Sequence, residues 1–140
     1  MLNGADADAT WDLNTTNTYT VGGQSATFAG FATLNGGTQA DTFNVNSSVS
    51  FDVNGGDGDD SVNIASSVAL SGDVFGGNGM DTLSIATGGT LSGAFDGEAD
   101  ADTLTFATST SPVTIDLLAG SATGFSGVVS SVTNDFSNVD

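Results

Sequence analysis

One short pattern returns at a fixed step and limits what this chain can fold into. Gly55-Gly56-Asp57-Gly58-Asp59-Asp60-Ser61-Val62-Asn63 and Gly76-Gly77-Asn78-Gly79-Met80-Asp81-Thr82-Leu83-Ser84 are near copies of each other. Looser copies run from Gly36 to Asn44, with Gln39 in place of the third glycine, and from Gly97 to Thr105, which keeps one glycine and Asp102. The first glycines lie about 19 to 21 residues apart, and repetition at such a period marks a stacked architecture in which each repeat forms one coil.

Between the glycine turns the residues alternate as strands do. Phe43, Val62, Leu83 and Leu104 form one apolar column, and Val45, Ile64, Ile85 and Phe106 form a second. Thr42, Ser61, Thr82 and Thr103 fall on the opposite face, the period of two expected of a pleated strand. A further strand precedes each glycine pair, marked by Leu34, Val53, Val74 and Phe95, with Val49, Leu70 and Leu91 four residues earlier in their coils. Gly, Ser, Thr, Asn and Asp dominate and no apolar stripe repeats every 3.6 residues, so no helix is expected. The fold class is all-β: a parallel β-solenoid, a β-roll or β-helix, with coils of about 20 residues.

The chain divides into degenerate N-terminal coils (1–33), regular repeats (34–106) and C-terminal coils without aspartate turns (107–140), all within one module. In the first turn, Gly4-Ala5-Asp6-Ala7-Asp8-Ala9, alanine stands where the pattern has its aspartate. Residues 14–33 are an insertion relative to the period and are expected to form an extra coil. In the tail, Val113, Ile115 and Leu117 alternate with Thr114 and Asp116 as a strand. Phe136-Ser137-Asn138-Val139-Asp140 matches Phe31-Ala32-Thr33-Leu34-Asn35, so the end of one copy is expected to precede the start of another, in a tandem array or a head-to-tail stack.

Composition removes whole classes of function. There are 17 acidic residues and no Lys, Arg or His, so no side chain carries positive charge. Nucleic acid and anionic membranes, which are bound by Lys and Arg, are excluded as direct partners. Nucleophilic triads lack their base, zinc sites lack histidine and cysteine, and Schiff-base chemistry lacks lysine, so an enzyme is not expected. No apolar run is long enough for a membrane span, no signal peptide is visible, and the absence of cysteine excludes a disulfide scaffold. A regular hydroxyl face of the ice-binding kind is a weaker reading, because Asn44, Asn63 and Ser84 interrupt any ladder of alternate threonines. Trp11 and Tyr19 are read as core or cap before sugar-stacking groups.

Stacking sets the chemistry. Coils about 4.8 Å apart place Asp41, Asp60, Asp81 and Asp102 in a ladder of like charges, and a chain with no base has no internal means of neutralising it. A hard divalent cation with oxygen ligands would do so. The written pattern, Gly-Gly-x-Gly-x-Asp-x-apolar-x, resembles the RTX, or haemolysin-type, calcium-binding repeat as found in large bacterial surface adhesins built of β-strand repeats. The resemblance covers about residues 34–106. It implies Ca²⁺ between stacked turns, held by Asp60 and Asp81 with main-chain oxygens of Gly55, Gly58, Gly76 and Gly79, and then by Asp102 and Asp41. Asp57, Asp59 and Asp100 are read as solvated charges. The expected function is a secreted structural and adhesive module of a bacterial cell surface or extracellular fibre. The alternative is a calcium-dependent polysaccharide-binding accessory module, with cell-surface glycan as partner.

Overall fold

The computed structural model of the chain describes residues 1–106, 115–121, 124–129 and 132–139, and it is all-β with no helix among them. The chain winds as a parallel β-solenoid. Each regular coil crosses two long sides and one short one, with the glycine turns at the corner between the long sides. The first long side, sheet A, holds β1 (Leu2–Asn3), β5 (Thr33–Gly37), β7 (Asp52–Asp57), β10 (Val74–Asn78) and β13 (Phe95–Ala99). The second, sheet B, holds β2 (Ala9–Leu13), β6 (Asp41–Val45), β8 (Ser61–Ile64), β11 (Thr82–Ile85) and β14 (Thr103–Thr105). The short side holds β9 (Ala69–Leu70) and β12 (Thr90–Leu91), extended by a bridge between Val49 and Leu70.

The expected columns are the observed registers. Leu34 pairs with Val53, Val53 with Val74 and Val74 with Phe95; on sheet B, Phe43, Val62, Leu83 and Leu104 stand in line. These columns and Leu70 and Leu91 of the short side converge on one core in which Leu34, Phe43, Val53, Leu70, Leu83 and Leu91 have no exposed surface. A one-residue slip of any strand would turn its apolar set outward, so burial itself fixes the register. The first turn also behaves as expected, since Ala9 pairs with Asp41 and so occupies the aspartate column.

Two segments depart from the expected coils. Residues 14–33 form no extra coil. Instead β3 (Thr18–Val21) and β4 (Gln24–Thr27) make an antiparallel hairpin that continues sheet B beyond β2. The physical reason is Trp11: its inward ring needs cover, and the hairpin supplies Tyr19 at 4.3 Å and Phe28 at 5.7 Å between ring centroids, with Phe43 stacked on the other side at 5.4 Å. Trp11 is fully buried, and Tyr19 also accepts the Ala5 N–H on its hydroxyl. Both aromatics are cap and core.

At the other end, β15 (Ile115–Ser121), β16 (Gly124–Val129) and β17 (Val132–Val139) form an antiparallel meander, and β17 alone rejoins the parallel stack. Val113 and Thr114 lie outside the described residues. Phe136 pairs with Phe95 and so shares the column of Leu34, three positions from the match expected with Phe31. The buried Phe136 ring extends the inward column, which outweighs the similarity of the flanking residues.

The outer face of sheet B carries the expected hydroxyl column on beyond the parallel repeat. The pairings place Ser25, Thr20, Thr10, Thr42, Ser61, Thr82 and Thr103 in one row of hydroxyls across seven strands, through the hairpin as well as the coils. Beside it, Asn44 donates to Asp12 and Asn63 to Asn44 along the stack. Truncating the two faces will have unequal effects: Leu83→Ala is expected to cost about 2–5 kcal/mol of stability in denaturant unfolding, and Ser84→Ala less than about 0.5 kcal/mol.

Candidate functional site

The site is the corner between sheets A and B, where each glycine turn delivers its aspartate to the start of a sheet B strand. Asp41, Asp60, Asp81 and Asp102 stand one above another, nineteen residues apart at the first step and twenty-one at the next two. They do not lie on an open edge: all four are buried, at 1 to 3% exposure. Each rung is tied to the next by the same bond. The Asp41 N–H donates to Asp60 Oδ1 at 2.6 Å, the Asp60 N–H to Asp81 Oδ1 at 2.8 Å, and the Asp81 N–H to Asp102 Oδ1 at 2.9 Å.

The second carboxylate oxygen is unsatisfied in three of these rungs. Oδ2 of Asp41, Asp60 and Asp81 is buried with no hydrogen-bond partner, and in Asp41 so is Oδ1. The Trp11 indole and the Ala9 N–H lie beside Asp41 and partly offset the effect of its burial. Unpaired buried carboxyl oxygens favour the protonated acid. Burial, opposed by the N–H of Asp41, pushes Asp60 up to about 7, with the charges of Asp81, Asp41 and Asp59 adding to the rise. Burial likewise raises Asp41 and Asp81 to about 6 from an ordinary value of 3.8.

The first glycine of each turn is a packing requirement. A Cβ on Gly55 or Gly76 would strike Oδ2 of Asp60 or Asp81, and the carbonyl oxygen of the next coil's glycine as well. Each carboxyl group therefore folds back over a bare Cα five residues upstream. The second and fourth positions of the turn take a left-handed backbone, Gly56 and Gly58 in one coil and Gly77 and Gly79 in the next. In the last regular turn Glu98 pairs with Gly77 and adopts φ 70°, and Asp100 adopts φ 75°. Side chains pay steric strain in that region.

The eight residues implicated by the repeat thus share one corner, and the carboxyls and glycines of Asp60 with Gly55 and of Asp81 with Gly76 touch within each turn. Asp57 and Asp59 are exposed and bond along the stack, to the Asn78 amide and the Met80 N–H. Among the described residues no three acidic side chains converge as a metal cluster, so any ion here would complete its shell with main-chain oxygens.

A second ladder escaped notice in the sequence. Asp52 Oδ1 accepts the Asp73 N–H and Asp73 Oδ1 the Ala94 N–H, running in the opposite sense along the axis. The repeated Asp-Val before Asn54-Gly55 and before Phe75-Gly76 was its signal. No protein family, curated protein or solved structure matches the chain.

Two outcomes test this geometry. In metal-free buffer, Asp41, Asp60 and Asp81 bind their protons more tightly folded than unfolded, so they favour folding at low pH, and that contribution is lost as pH rises from about 4 through about 7. Melting temperature in chelator is expected to fall over that window; a flat or rising profile contradicts it. Replacing Glu98 with Gly is expected to stabilise the fold by about 1 kcal/mol, beyond any gain from the charge-neutral Glu98→Gln.

Proposed function

We propose that the chain is a secreted structural and adhesive module of a bacterial surface adhesin or extracellular fibre, with RTX-type repeats stiffened by calcium. The observation that supports it is a stack of buried carboxylates in a chain with no basic side chain. The donor set is of the right kind, carboxylate and carbonyl oxygen throughout: Asp60 and Asp81, with Asp102 and Asp41 beyond them, and the main chain of Gly55, Gly58, Gly76 and Gly79. The orphaned Oδ2 atoms of Asp41, Asp60 and Asp81 are the groups such an ion would satisfy. Bound calcium supplies charge neutralisation and couples metal to folding, because the stacked turns exist only in the folded chain. The protein's part is to hold the carboxyls in line by their Oδ1 bonds and to keep water from the column.

The same arrangement accounts for a module that hardens outside the cell. Ordering a backbone rich in Gly and Ser costs about 1–2 kcal/mol per residue, and a ligand that binds only the folded form offsets part of it. Thermal unfolding with calcium and then chelator is the test. At pH 8 calcium is expected to add about 1–3 kcal/mol to the wild type and nothing to an Asp60→Asn/Asp81→Asn variant. In chelator that variant should equal or exceed the wild type, since the amide keeps an acceptor for each N–H and removes buried charge. Wild-type melting indifferent to calcium would end the metal's part in this reading.

One feature favours a second reading, a calcium-dependent polysaccharide-binding accessory module. A cleft of about 330 Å³ lies over the first coils, lined by Asn3, Asn35 and Asn54 with Asp6 as its acidic residue. Retention of the chain on a glycan resin only in calcium would select this reading over a purely structural one.

A further inference from the structure

The hairpin leaves one strand edge open. β4 is the last strand of sheet B at the start of the molecule, two strands beyond β2, while sheet A stops there at β1. All four of its residues are exposed. Natural sheets guard such an edge with charge, proline or a bulge. β4, Gln24-Ser25-Ala26-Thr27, has no charge and no proline, and its pairing with β3 runs without a register shift.

Hydrogen bonding decides which groups line that edge. Val21 and Gln24 flank a two-residue turn, Gly22-Gly23, with both glycines at positive φ, the tight hairpin geometry in which the flanking pair is hydrogen-bonded. The Phe28 N–H donates to the Asn17 carbonyl, in phase with that pair. Backbone groups alternate along a strand, so Gln24 and Ala26 turn theirs toward β3, and Ser25 and Thr27 turn theirs outward along the open edge.

We propose that this edge pairs with the same edge of a second copy, antiparallel about a twofold axis at Ala26, to form a closed dimer. Two constraints select the register. For sheet B to continue with its outer face outward, directly opposed residues must share a face. Ser25 and Thr27 lie on the hydroxyl face with Thr20 and Thr18, and Gln24 and Ala26 on the other face with Val21 and Tyr19. The outward backbone groups must also meet, which sets Ser25 opposite Thr27 of the second copy, twice over, with two main-chain bonds in each pair. An axis at Ser25 or at Thr27 would match only one such pair within the strand. With the axis at Ala26, the two Ala26 residues form a non-hydrogen-bonded pair, where Cα atoms approach to about 4.5 Å and a small side chain fits. The Ser25 hydroxyl, already bonded to that of Thr20 at 2.7 Å, comes beside Thr27 of the second copy and carries the hydroxyl face across.

The acids of the first coil do not oppose this contact. Asp12 lies in β2, so the two Asp12 carboxylates stand five strand spacings apart, about 24 Å, well beyond the screening length of about 8 Å at physiological salt. Asp6 and Asp8 lie in the turn that enters β2 at Ala9, the end marked by Val21 and Gln24. Antiparallel pairing sets that end beside the Phe28 end of the second copy, and no acidic residue occurs from Leu13 to Ala40. Four residues a side make less than a standard interface, so the pair forms at high concentration and gains strength where many copies share one surface.

The chain has no cysteine, so a single engineered thiol reports the axis. Under a mild oxidant Ala26→Cys is expected to give a disulfide-linked dimer in a yield several-fold above that of Gln24→Cys, whose two thiols stand four residues apart along the strands, about 13 Å. Equal yields, or no dimer from Ala26→Cys, would overturn the interface. In sedimentation the wild type should pass from monomer to dimer as concentration rises and go no further. Ala26→Asp, at an exposed position, should keep the wild-type circular dichroism yet stay monomeric, because it sets two carboxylates across the axis. A wild type monomeric from dilute to concentrated solution, or an Ala26→Asp variant that dimerises equally well, would also overturn the proposal. Asp60→Asn/Asp81→Asn should dimerise as the wild type does, so a failure of the calcium reading would leave this contact standing.

Discussion

One hydrogen bond, repeated up the stack, holds the corner of the solenoid: a carboxylate oxygen accepts the N–H of the aspartate one coil earlier. Parallel ladders satisfy the backbone along the strands, but the chain bends at the glycine turn. There the N–H groups of Asp41, Asp60 and Asp81 point along the axis inside the molecule. An unsatisfied buried N–H costs about 1–3 kcal/mol, and the next coil's aspartate supplies the acceptor. This explains why Ala9 suffices in the first coil. Its strand neighbours the hairpin on the other side, where it pairs with Val21 in an antiparallel strand, so no stacked aspartate N–H requires a carboxyl from position 9.

An amide could accept the same bond, so the choice of aspartate needs a further reason. The carboxyl brings a charge into a site that disfavours it, and burial raises its pKa accordingly. A column of asparagines would be neutral and indifferent to pH. A column of aspartates loses stability as its carboxyls give up their protons, so the stability of the coils answers to pH. The absence of any Lys, Arg or His keeps that response from being silenced by an internal ion pair.

Much of this was legible in the sequence because stacking makes a structural column into a sequence period. The columns through Phe43 and Leu34, the aspartate ladder and the degenerate position of Ala9 all follow from spacing alone. Besides the ladder of Asp52 and Asp73, three things did not follow. Period gave the aspartates a shared corner but not their burial, because Gly and Asp look the same in an exposed turn as in one folded over a bare Cα. The hairpin was hidden because antiparallel pairing obeys no period; only the need to cover Trp11 decides it. The match of Phe136 with Phe31 relied on similarity over five residues, whereas the structure was decided by which side chain could fill the column below Phe95.

The two departures from the repeat obey a common rule. Coil strands are fixed by burial on one face and by ladders to both neighbours, so extra residues enter at corners. The hairpin leaves after β2 and returns the chain to β5, with Leu13 still paired to Val45. An even number of reversals is what permits this, since two antiparallel strands bring the chain back running in the coil direction. The insertion therefore changes the end of the molecule without disturbing any column inside it. It enters at the corner where the other coils carry Asn46-Ser47-Ser48 or Ala65-Ser66-Ser67, away from the aspartates, so the stack between sheets A and B is left intact.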